Sequence, residues 1–218
     1  KSWVFYMIMQ PDFIIYKGRK NMKVLFGVDV GGTDIKLGAF DWKSQKLLKK
    51  WAIKTDLSNE GKQIIPDVAK EIQSYLCENA LSEADVYGIG MGIPGPVDKD
   101  GNVEVCVNLF WNNFNPAEEM RKFFPHAYIQ TGNDANVAAL GEFVQGAGRK
   151  YKTMMLITLG TGVGGGIILN GDIVLGASGL AGEIGHIAVG SKDSGNCNCG
   201  NCGCVDQFAS ATGIVRRM

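Results

Sequence analysis

The spacing of hydrophobic and polar residues changes several times along the chain and predicts alternating strands and helices. From Met22 on, the apolar run KVLFGVDVGG is followed by the alternating patterns IKLGAFD and KLLKKWAIKT, which together predict three successive strands. Apolar residues recur at helical spacing between Ser58 and Asn79, which predicts an amphipathic helix. Two further strands are predicted at VYGIGMGI and YIQTGND, and a helix at NVAALGEFVQGA. This order of elements indicates an α/β fold.

The second half of the chain repeats the pattern of the first. The segment MMLITLGTGVGGGIIL predicts a strand, a glycine turn and a second strand, while DIVLG predicts a short strand and QFASATGIVRRM the start of a helix. The strand–turn–strand units Phe26–Phe40 and Leu156–Leu169 are similar, which indicates a duplicated architecture with a cleft between two halves. We therefore predict an N-terminal α/β domain over residues 22–128. A second α/β domain, which includes the cysteine-rich segment at residues 197–204, is predicted to start over residues 129–218.

Residues 1–21 differ in character from the rest of the chain. Their apolar run from Trp3 to Tyr16 is interrupted by a proline and an aspartate, is too short to span a bilayer and lacks a small-residue cleavage site. We predict an upstream extension before a true start at Met22. The basic stretch KGRKN leaves a membrane-proximal flank as the alternative.

The composition narrows the classes of partner. The chain has 218 residues, of which 45% are hydrophobic and 20% charged, as is typical of globular proteins. Lys+Arg and Asp+Glu both number 22, so the formal net charge is zero. No basic field indicates nucleic acid and no polybasic run indicates a membrane surface, so we predict neither partner. Six cysteines without an export signal favour reduced or metal-bound thiols, and hence a cytoplasmic protein.

Two glycine-rich turns are candidate phosphate-binding loops. The first runs from Asp29 to Thr33 and is followed by Lys36, and the second reads LGTGVGGG from Leu159. Glycines let backbone N–H groups turn toward an anion, and Asp29 could hold Mg²⁺ directly or through water. Neither loop matches the P-loop or the Rossmann motif, so a tight hairpin without a ligand is the alternative for each. Their occurrence in two similar units favours a phosphate clamp.

A polar segment, GNDAN, lies between a predicted strand and a predicted helix. Asn133 or Asp134 could cap the helix by accepting hydrogen bonds from its unpaired N–H groups. Capping explains one polar residue better than three. Asp134 at the carboxyl end of a strand is also well placed to act as a general base.

A cysteine-rich segment follows a glycine-rich loop that carries a carboxylate and an imidazole. Its four cysteines are Cys197, Cys199, Cys202 and Cys204. With His186 they could supply the four ligands of a closed tetrahedral zinc site. One nitrogen of His186 could bind the metal while the other orients a substrate hydroxyl, with Glu183 nearby. The alternatives are a histidine that serves only the metal and a solvated surface glutamate.

Two further segments carry candidate polar contacts. GIPGPVD contains Gly95, and VNLFWNN contains Asn108 and Trp111. The first is also typical of a rigid turn, and the second of a connection that caps and packs.

Taken in order, seven segments resemble the ROK family of sugar kinases and related repressors. They are DVGGTDIK, GIPGPVD, VNLFWN, GNDANVAALGE, TLGTGVGGG, GLAGEIGH and CNCGNCGC, and the last two are the most specific. The resemblance covers Met22 to Met218 and implies the two-domain α/β fold of the actin-like/hexokinase-like (ribonuclease H-like) ATPases, with an incomplete second domain. It also implies that a sugar and ATP–Mg²⁺ meet in the central cleft.

The resemblance implies a role for each candidate residue. Asp134 resembles the catalytic base that takes the proton from the sugar 6-hydroxyl as this oxygen attacks the γ-phosphate of ATP. The implied substrate-binding residues are Asn133, Glu183, His186, Asp206, Gly95 and Asn108. The implied phosphate-binding residues are Asp29, Gly31, Gly32, Thr33, Lys36, Gly160, Thr161 and Gly162. The implied zinc ligands are His186, Cys197, Cys199 and Cys204.

The chain departs from the family pattern in two ways. Asp206 stands where the family usually has glutamate, so its carboxylate reaches one methylene less far toward a sugar. The chain also stops before the segment that completes the adenosine pocket in this family, so full activity is not expected of it. Cys202 is left as a spare thiol.

Several functions remain open at this stage. Phosphorylation of glucose to glucose 6-phosphate is the first hypothesis, with N-acetylmannosamine, N-acetylglucosamine or fructose as alternative substrates. A sugar-sensing repressor is disfavoured because no recognition-helix pattern precedes Met22. A zinc-stabilised binding module without turnover is the third reading. By resemblance, a homo-oligomer, dimer or tetramer, is expected.

Overall fold

The computed structural model describes residues 22–190 and 196–218. The upstream extension predicted at residues 1–21 lies outside the described residues. Contacts divide the chain into two compact units, of which the first ends at Val137 and the second begins at Ala138. The predicted domain boundary between residues 128 and 129 stays a prediction.

The first unit is built on a five-stranded sheet with the order β3-β2-β1-β4-β7. The strands of this unit are, in chain order, β1 (Val24–Val30), β2 (Asp34–Asp41), β3 (Leu47–Lys54), β4 (Val86–Ile93), β5 (Val103–Cys106), β6 (Trp111–Phe114) and β7 (Tyr128–Asn133). Strand β1 pairs antiparallel with β2 and parallel with β4, and β4 pairs parallel with β7. A separate hairpin is formed by β5 and β6.

The burial of each strand follows its place in the sheet. Strands β1 and β4 lie inside the sheet, and almost every residue of both is buried, which explains their continuous apolar runs. Strand β3 forms an edge, and all of its residues are exposed or half-buried, including the exposed Leu47 and Leu48. The predicted positions of these strands are confirmed.

Among the described residues of the first unit, three helices begin, namely α1 (Ile64–Glu78), α2 (Pro116–Arg121) and α3 (Asp134–Gln145). Helix α1 packs its buried residues, among them Val68 and Ile72, into the core below the sheet. Helix α2 has a proline in its first turn, and the Asn115 side chain accepts a hydrogen bond from the Glu118 amide at 3.0 Å.

The predicted start of the first helix at Ser58 is wrong, and the reason is a tertiary contact. Residues 58–61 form a 3-10 turn in which Asn59 and Glu60 have left-handed backbone angles, with φ of 52° and 58°. Gly61 is left-handed as well, and its carbonyl accepts a hydrogen bond from Trp111 Nε1 at 3.1 Å. A helix cannot run through three left-handed residues.

The second unit contains a three-stranded antiparallel sheet with the order β10-β9-β8. Its strands are β8 (Met154–Leu159), β9 (Val163–Leu169) and β10 (Asp172–Ile173), and its helices are α4 (Asp206–Ala209) and α5 (Ala211–Arg217). The order mirrors β3-β2-β1 of the first unit, as the repeated sequence pattern predicts. The predicted C-terminal helix is divided at Ser210, which is extended and accepts a hydrogen bond from the Gly213 amide at 3.0 Å.

None of the helices within residues 22–190 and 196–218 combines the length and the apolar composition that crossing a bilayer requires.

The contact at Gly61 leads to a prediction about stability. A Cβ atom at Gly61 would overlap the Leu109 carbonyl oxygen, and the left-handed backbone adds strain. We expect Gly61→Ala to lower the free energy of unfolding by at least about 2 kcal/mol. Urea titration followed by tryptophan fluorescence measures this change.

The matched control is Gly32→Ala. A Cβ atom there would lie 3.4 Å from the Asn108 carbonyl oxygen, and Gly32 is not left-handed. We expect this variant to change the free energy of unfolding by less than about 1 kcal/mol. Equal losses in the two variants would contradict the steric explanation.

Candidate active site and metal centre

The carboxyl ends of β1, β4 and β7 lie at one edge of the first sheet because these strands run parallel. The register pairs Asp29 with Gly92, and Gly92 with Gly132, so these three residues form a row across the sheet. Asn133 ends β7 opposite Ile93. In open α/β sheets, ligands bind beyond the carboxyl ends of the strands, so this edge is the candidate site of the first unit.

The first glycine loop is closed by its own hydrogen bonds. The Gly31 amide donates to the Asp34 carbonyl at 3.1 Å, and a Cβ atom at Gly31 would lie 2.8 Å from that oxygen. Lys36 Nζ lies 3.0 Å from Asp29 Oδ2, and both side chains are about half exposed. The structure therefore gives Lys36 a carboxylate partner and uses one glycine N–H to close the hairpin. The predicted phosphate contacts of this loop stay predictions.

Asn133 caps helix α3, which settles the choice that the sequence left open. Its Oδ1 accepts a hydrogen bond from the Asn136 amide at 3.1 Å, and its Nδ2 donates to the Gly95 carbonyl at 3.0 Å. Asn133 is buried, so these two bonds fix its side chain. The carbonyl of Gly95 thus positions Asn133.

Asp134 is the first residue of α3 and is exposed. Its Oδ1 accepts a hydrogen bond from the Ala135 amide at 2.8 Å. A Cβ atom at Gly92 would lie 3.6 Å from Asp134 Cα, so this glycine lets the start of the helix approach β4 closely. A carboxylate held in this way and exposed to solvent can accept a proton from a bound hydroxyl.

The segment that contains Asn108 packs against the first glycine loop, since the Asn108 carbonyl oxygen would lie 3.4 Å from a Cβ atom at Gly32. Nearby, the Cys106 thiol donates a hydrogen bond to the Pro94 carbonyl at 2.7 Å. Burial raises the pKa of the Cys106 thiol, so this cysteine is a structural residue.

Asn136 is a polar residue whose importance the sequence did not reveal. Its side chain is buried, and its Oδ1 has no hydrogen-bond partner within residues 22–190 and 196–218. The only signal for it was its place in the motif GNDAN.

In the second unit, the second glycine loop contacts Asp206. The Val163 amide donates to Asp206 Oδ1 at 2.7 Å, and the Gly160 amide donates to the Gly162 carbonyl at 2.9 Å. Thr161 contributes its carbonyl oxygen, which accepts a hydrogen bond from another part of the unit. The predicted contact of Asp206 with a sugar stays a prediction.

His186, Cys197, Cys199 and Cys204 form a compact group in the second unit. Their four candidate ligand atoms all lie within 4.8 Å of one another. The distance from Cys197 Sγ to His186 Nδ1 is 3.4 Å, and that between the sulfur atoms of Cys199 and Cys204 is 3.7 Å. Ligand atoms around a tetrahedral zinc ion lie roughly 3.5 to 3.8 Å apart, given the usual Zn–S and Zn–N bond lengths. The four residues therefore fit zinc.

The remaining cysteine of this segment, Cys202, lies outside this group of four residues. Cys202 Sγ donates to Asn196 Oδ1 at 3.3 Å. This contact leaves Cys202 as the spare thiol that the family resemblance implied.

Protonation of the cluster depends on the ion. Burial, together with the neighbouring thiols of Cys199 and Cys197, raises the pKa of Cys204 to about 12. A hydrogen bond from the Asn201 amide lowers the pKa of Cys199. Metal ligation requires thiolates, so a bound cation would reverse the effect of burial on Cys204.

The two ring nitrogens of His186 face different partners. Nδ1 lies on the side of Cys197, and Nε2 lies 3.8 Å from Glu183 Oε2. A metal-bound histidine whose other nitrogen faces a carboxylate is a common arrangement. The predicted contact of His186 with a substrate hydroxyl stays a prediction.

This chain is similar to known proteins in both sequence and structure. The family described as "ROK family" matches residues 25–218. The glucokinase of Halalkalibacterium halodurans is 45% identical over 191 residues, which are 87% of this chain and 57% of that protein. The crystal structure of a ROK family glucokinase from Streptomyces griseus in complex with glucose and AMPPNP matches with a TM-score of 0.74 and 33% identity, covering 88% of this chain and 59% of that one.

A regulator is also among the similar proteins. The xylose repressor of Bacillus subtilis is 26% identical over 211 residues, which are 96% of this chain and 53% of that protein. The chain thus spans between 53% and 59% of the length of these three proteins.

The metal centre leads to a prediction whose control is a cysteine three positions away in the sequence. Cys199→Ser removes one of the four ligands, and we expect the affinity for zinc to fall at least about 100-fold. Cys202→Ser leaves the four ligands intact and should keep the zinc content of the parent protein. Elemental analysis and competition with a chromophoric chelator measure both. Equal loss of zinc in the two variants, or a parent protein without bound zinc, would refute this assignment.

Proposed function

The chain belongs to the ROK family, and from this premise we propose that the protein is an ATP-dependent sugar kinase that phosphorylates the 6-hydroxyl of a hexose, with glucose as the first candidate. Family membership confirms the resemblance found in the sequence and the predicted actin-like/hexokinase-like α/β fold, which the glucokinase from Streptomyces griseus shares. The observation that carries the proposal is the exposed carboxylate of Asp134, held at the start of α3 beside the fixed side chain of Asn133.

Asp134 serves as the general base in this proposal. It takes the proton from the sugar hydroxyl as the hydroxyl oxygen attacks the γ-phosphate of ATP and the bond from the γ-phosphorus to ADP breaks. Phosphoryl transfer depends chiefly on positioning and on stabilisation of charge, so the base supplies only part of the rate. Its contribution lies in the range of about 100-fold or more.

Each unit contains its own candidate sugar-binding groups. In the first unit, Asn133 Nδ2 has two N–H groups, of which one binds the Gly95 carbonyl and the other can donate to a sugar hydroxyl. In the second unit, Glu183 and His186 Nε2 face each other at 3.8 Å and offer an acceptor and a donor or acceptor to hydroxyl groups. In the first unit, Gly95 serves the proposed site by holding Asn133, and Asn108 is proposed as a further substrate contact.

The glycine loops are proposed to bind the phosphates of ATP. In the first, Thr33 and the backbone N–H groups of the loop serve this purpose, while Asp29 keeps one carboxylate oxygen on Lys36. The other oxygen of Asp29 suits a Mg²⁺ ion that arrives with ATP, directly or through water. In the second loop, Gly160, Thr161 and Gly162 take the same role.

Zinc is proposed as a structural ion. It would be held by His186, Cys197, Cys199 and Cys204, and it would fix the imidazole of His186 and connect two segments of the loop. The residues of this chain then orient the sugar.

A sugar-sensing regulator is the second candidate, because the xylose repressor of Bacillus subtilis matches 96% of this chain. Such a protein would bind a sugar without transferring phosphate. Turnover therefore distinguishes the two candidates.

The role of Asp134 is tested by Asp134→Asn. We expect kcat to fall at least about 100-fold while the dissociation constant for the sugar changes by less than roughly threefold. A coupled assay of ADP release and calorimetric titration with the sugar measure the two quantities. Asp67→Asn, which changes an acidic residue in the first turn of α1, is the control. Retained turnover in Asp134→Asn would exclude this residue as the base.

The substrate is tested with a panel of glucose, fructose, N-acetylglucosamine and N-acetylmannosamine. We expect kcat/KM to be highest for glucose, by at least about tenfold, because an N-acetyl group needs additional room near C2 of the sugar. A higher kcat/KM for an N-acetylhexose would move the assignment to that substrate. Binding of a sugar without turnover of any would favour the regulator.

A further inference from the structure

We propose that Asp206 is a positioning residue for the second glycine loop, and that its carboxylate serves nucleotide binding instead of contacting the sugar. The inference deepens the proposed function and rests on it, because it assigns the second glycine loop to ATP. It concerns residues of the second unit alone.

The carboxylate of Asp206 is engaged within the chain on both oxygens. Oδ1 accepts the hydrogen bond from the Val163 amide at 2.7 Å, and Oδ2 lies 3.5 Å from Gln207 Nε2. A hydrogen bond from an amide to a carboxylate is charge-assisted and stronger than one between neutral groups. The side chain is partly buried, which strengthens it further.

Buried neighbours fix the direction of this carboxylate. Ser210 Oγ donates to the Asp206 carbonyl at 2.6 Å, and both Ser210 and Gln207 are almost fully buried. Arg216 Nη2 donates to Gln207 Oε1 at 2.6 Å and to the Gln207 carbonyl at 3.2 Å. Helices α4 and α5 therefore form a rigid corner that carries the Asp206 side chain.

The same corner binds the glycine loop at two further points. The Ala211 amide donates to the Gly160 carbonyl at 2.8 Å. Thr212 Oγ1 donates to the Thr161 carbonyl at 2.6 Å. Three hydrogen bonds thus join residues 206–212 to the loop between β8 and β9, and they restrain the backbone that carries its remaining N–H groups.

Gly162 allows the closest of these contacts. A Cβ atom at Gly162 would lie 2.9 Å from Asp206 Oδ1, closer than such atoms normally approach. By contrast, a Cβ atom at Gly160 would meet nothing within 4 Å. The glycine at 162 therefore lets Asp206 Oδ1 approach the loop this closely, whereas the glycine at 160 meets no such constraint.

The residues that lead into this corner come directly from the metal centre. Cys204 pairs with Ala188 through an isolated β-bridge, and the Val205 amide donates to the Ile187 carbonyl at 2.9 Å. Asp206 follows directly. A metal ion bound by Cys204 would therefore steady the glycine loop as well as His186.

The experiment compares Asp206→Ala and Asp206→Asn with the parent chain of 218 residues. Asparagine keeps an acceptor oxygen for the Val163 amide, and alanine does not. Hydrogen exchange of the Val163 amide, measured by NMR, reads the bond without any need for activity. We expect its protection to fall at least about tenfold in the alanine variant and to be largely retained in the asparagine variant.

Ligand binding separates the two possible roles of Asp206. We expect the affinity for the non-hydrolysable analogue AMPPNP with Mg²⁺ to fall at least about tenfold in Asp206→Ala, and the affinity for glucose to change by less than roughly twofold. A loss of glucose affinity with unchanged affinity for AMPPNP would restore the sugar contact and overturn the inference. Unchanged protection of Val163 would overturn it too.

Two glycine variants complete the test. Gly162→Ala should lower the protection of the Val163 amide as Asp206→Ala does. The double variant should show no further loss, because both changes remove the same hydrogen bond. Gly160→Ala should leave this protection unchanged. If a chain extended past Met218 to the length of its relatives binds glucose but no nucleotide, the assignment of the loop to ATP in the proposed function fails. If the parent binds AMPPNP and Asp206→Ala binds it equally well, the inference alone fails.

Discussion

Parallel pairing of β1 with β4 and of β4 with β7 determines where polar groups of the first unit can meet. Because all three strands run the same way in one register, Asp29, Ile93 and Asn133 end at the same edge. Gly92 and Gly132, which form a row with Asp29, have no side chains at this edge. The start of α3 then approaches this edge and presents Asp134. The remaining features of this edge depend on that alignment.

Much of this arrangement was predictable from the sequence, because it depends on local patterns. Strands β1 and β4 are continuous apolar runs since they are buried on both faces, and GNDAN stood out as a polar segment at the end of a strand. The hairpin of β5 and β6 was missed because each strand has only four residues and a left-handed residue, Phe110, lies between them. The first helix starts later than its pattern indicates because the Gly61 carbonyl accepts a hydrogen bond from Trp111, which is distant in sequence.

In the second unit, the metal centre could be predicted from the sequence, whereas the contact that holds the glycine loop could not. All four candidate ligands of the metal lie between His186 and Cys204, so their spacing alone indicated a site. The bond from Val163 to Asp206 joins residues 43 positions apart, and no sequence pattern marks it. Asp206 consequently stood out only as a departure from the family glutamate. Its contact with the loop gives that departure a physical meaning, since a shorter side chain suits a bond to a nearby amide.

Asn133 has a consequence for the evolution of this chain. Its side chain caps α3 and is anchored to Gly95, so it contributes about 1 kcal/mol to the helix in addition to any contact with a ligand. Selection for a new sugar cannot act on this residue without also acting on folding. Under the proposed function, drift in substrate preference should therefore begin at exposed residues that hold neither a helix nor a metal, such as Asn108, while Asn133 stays invariant.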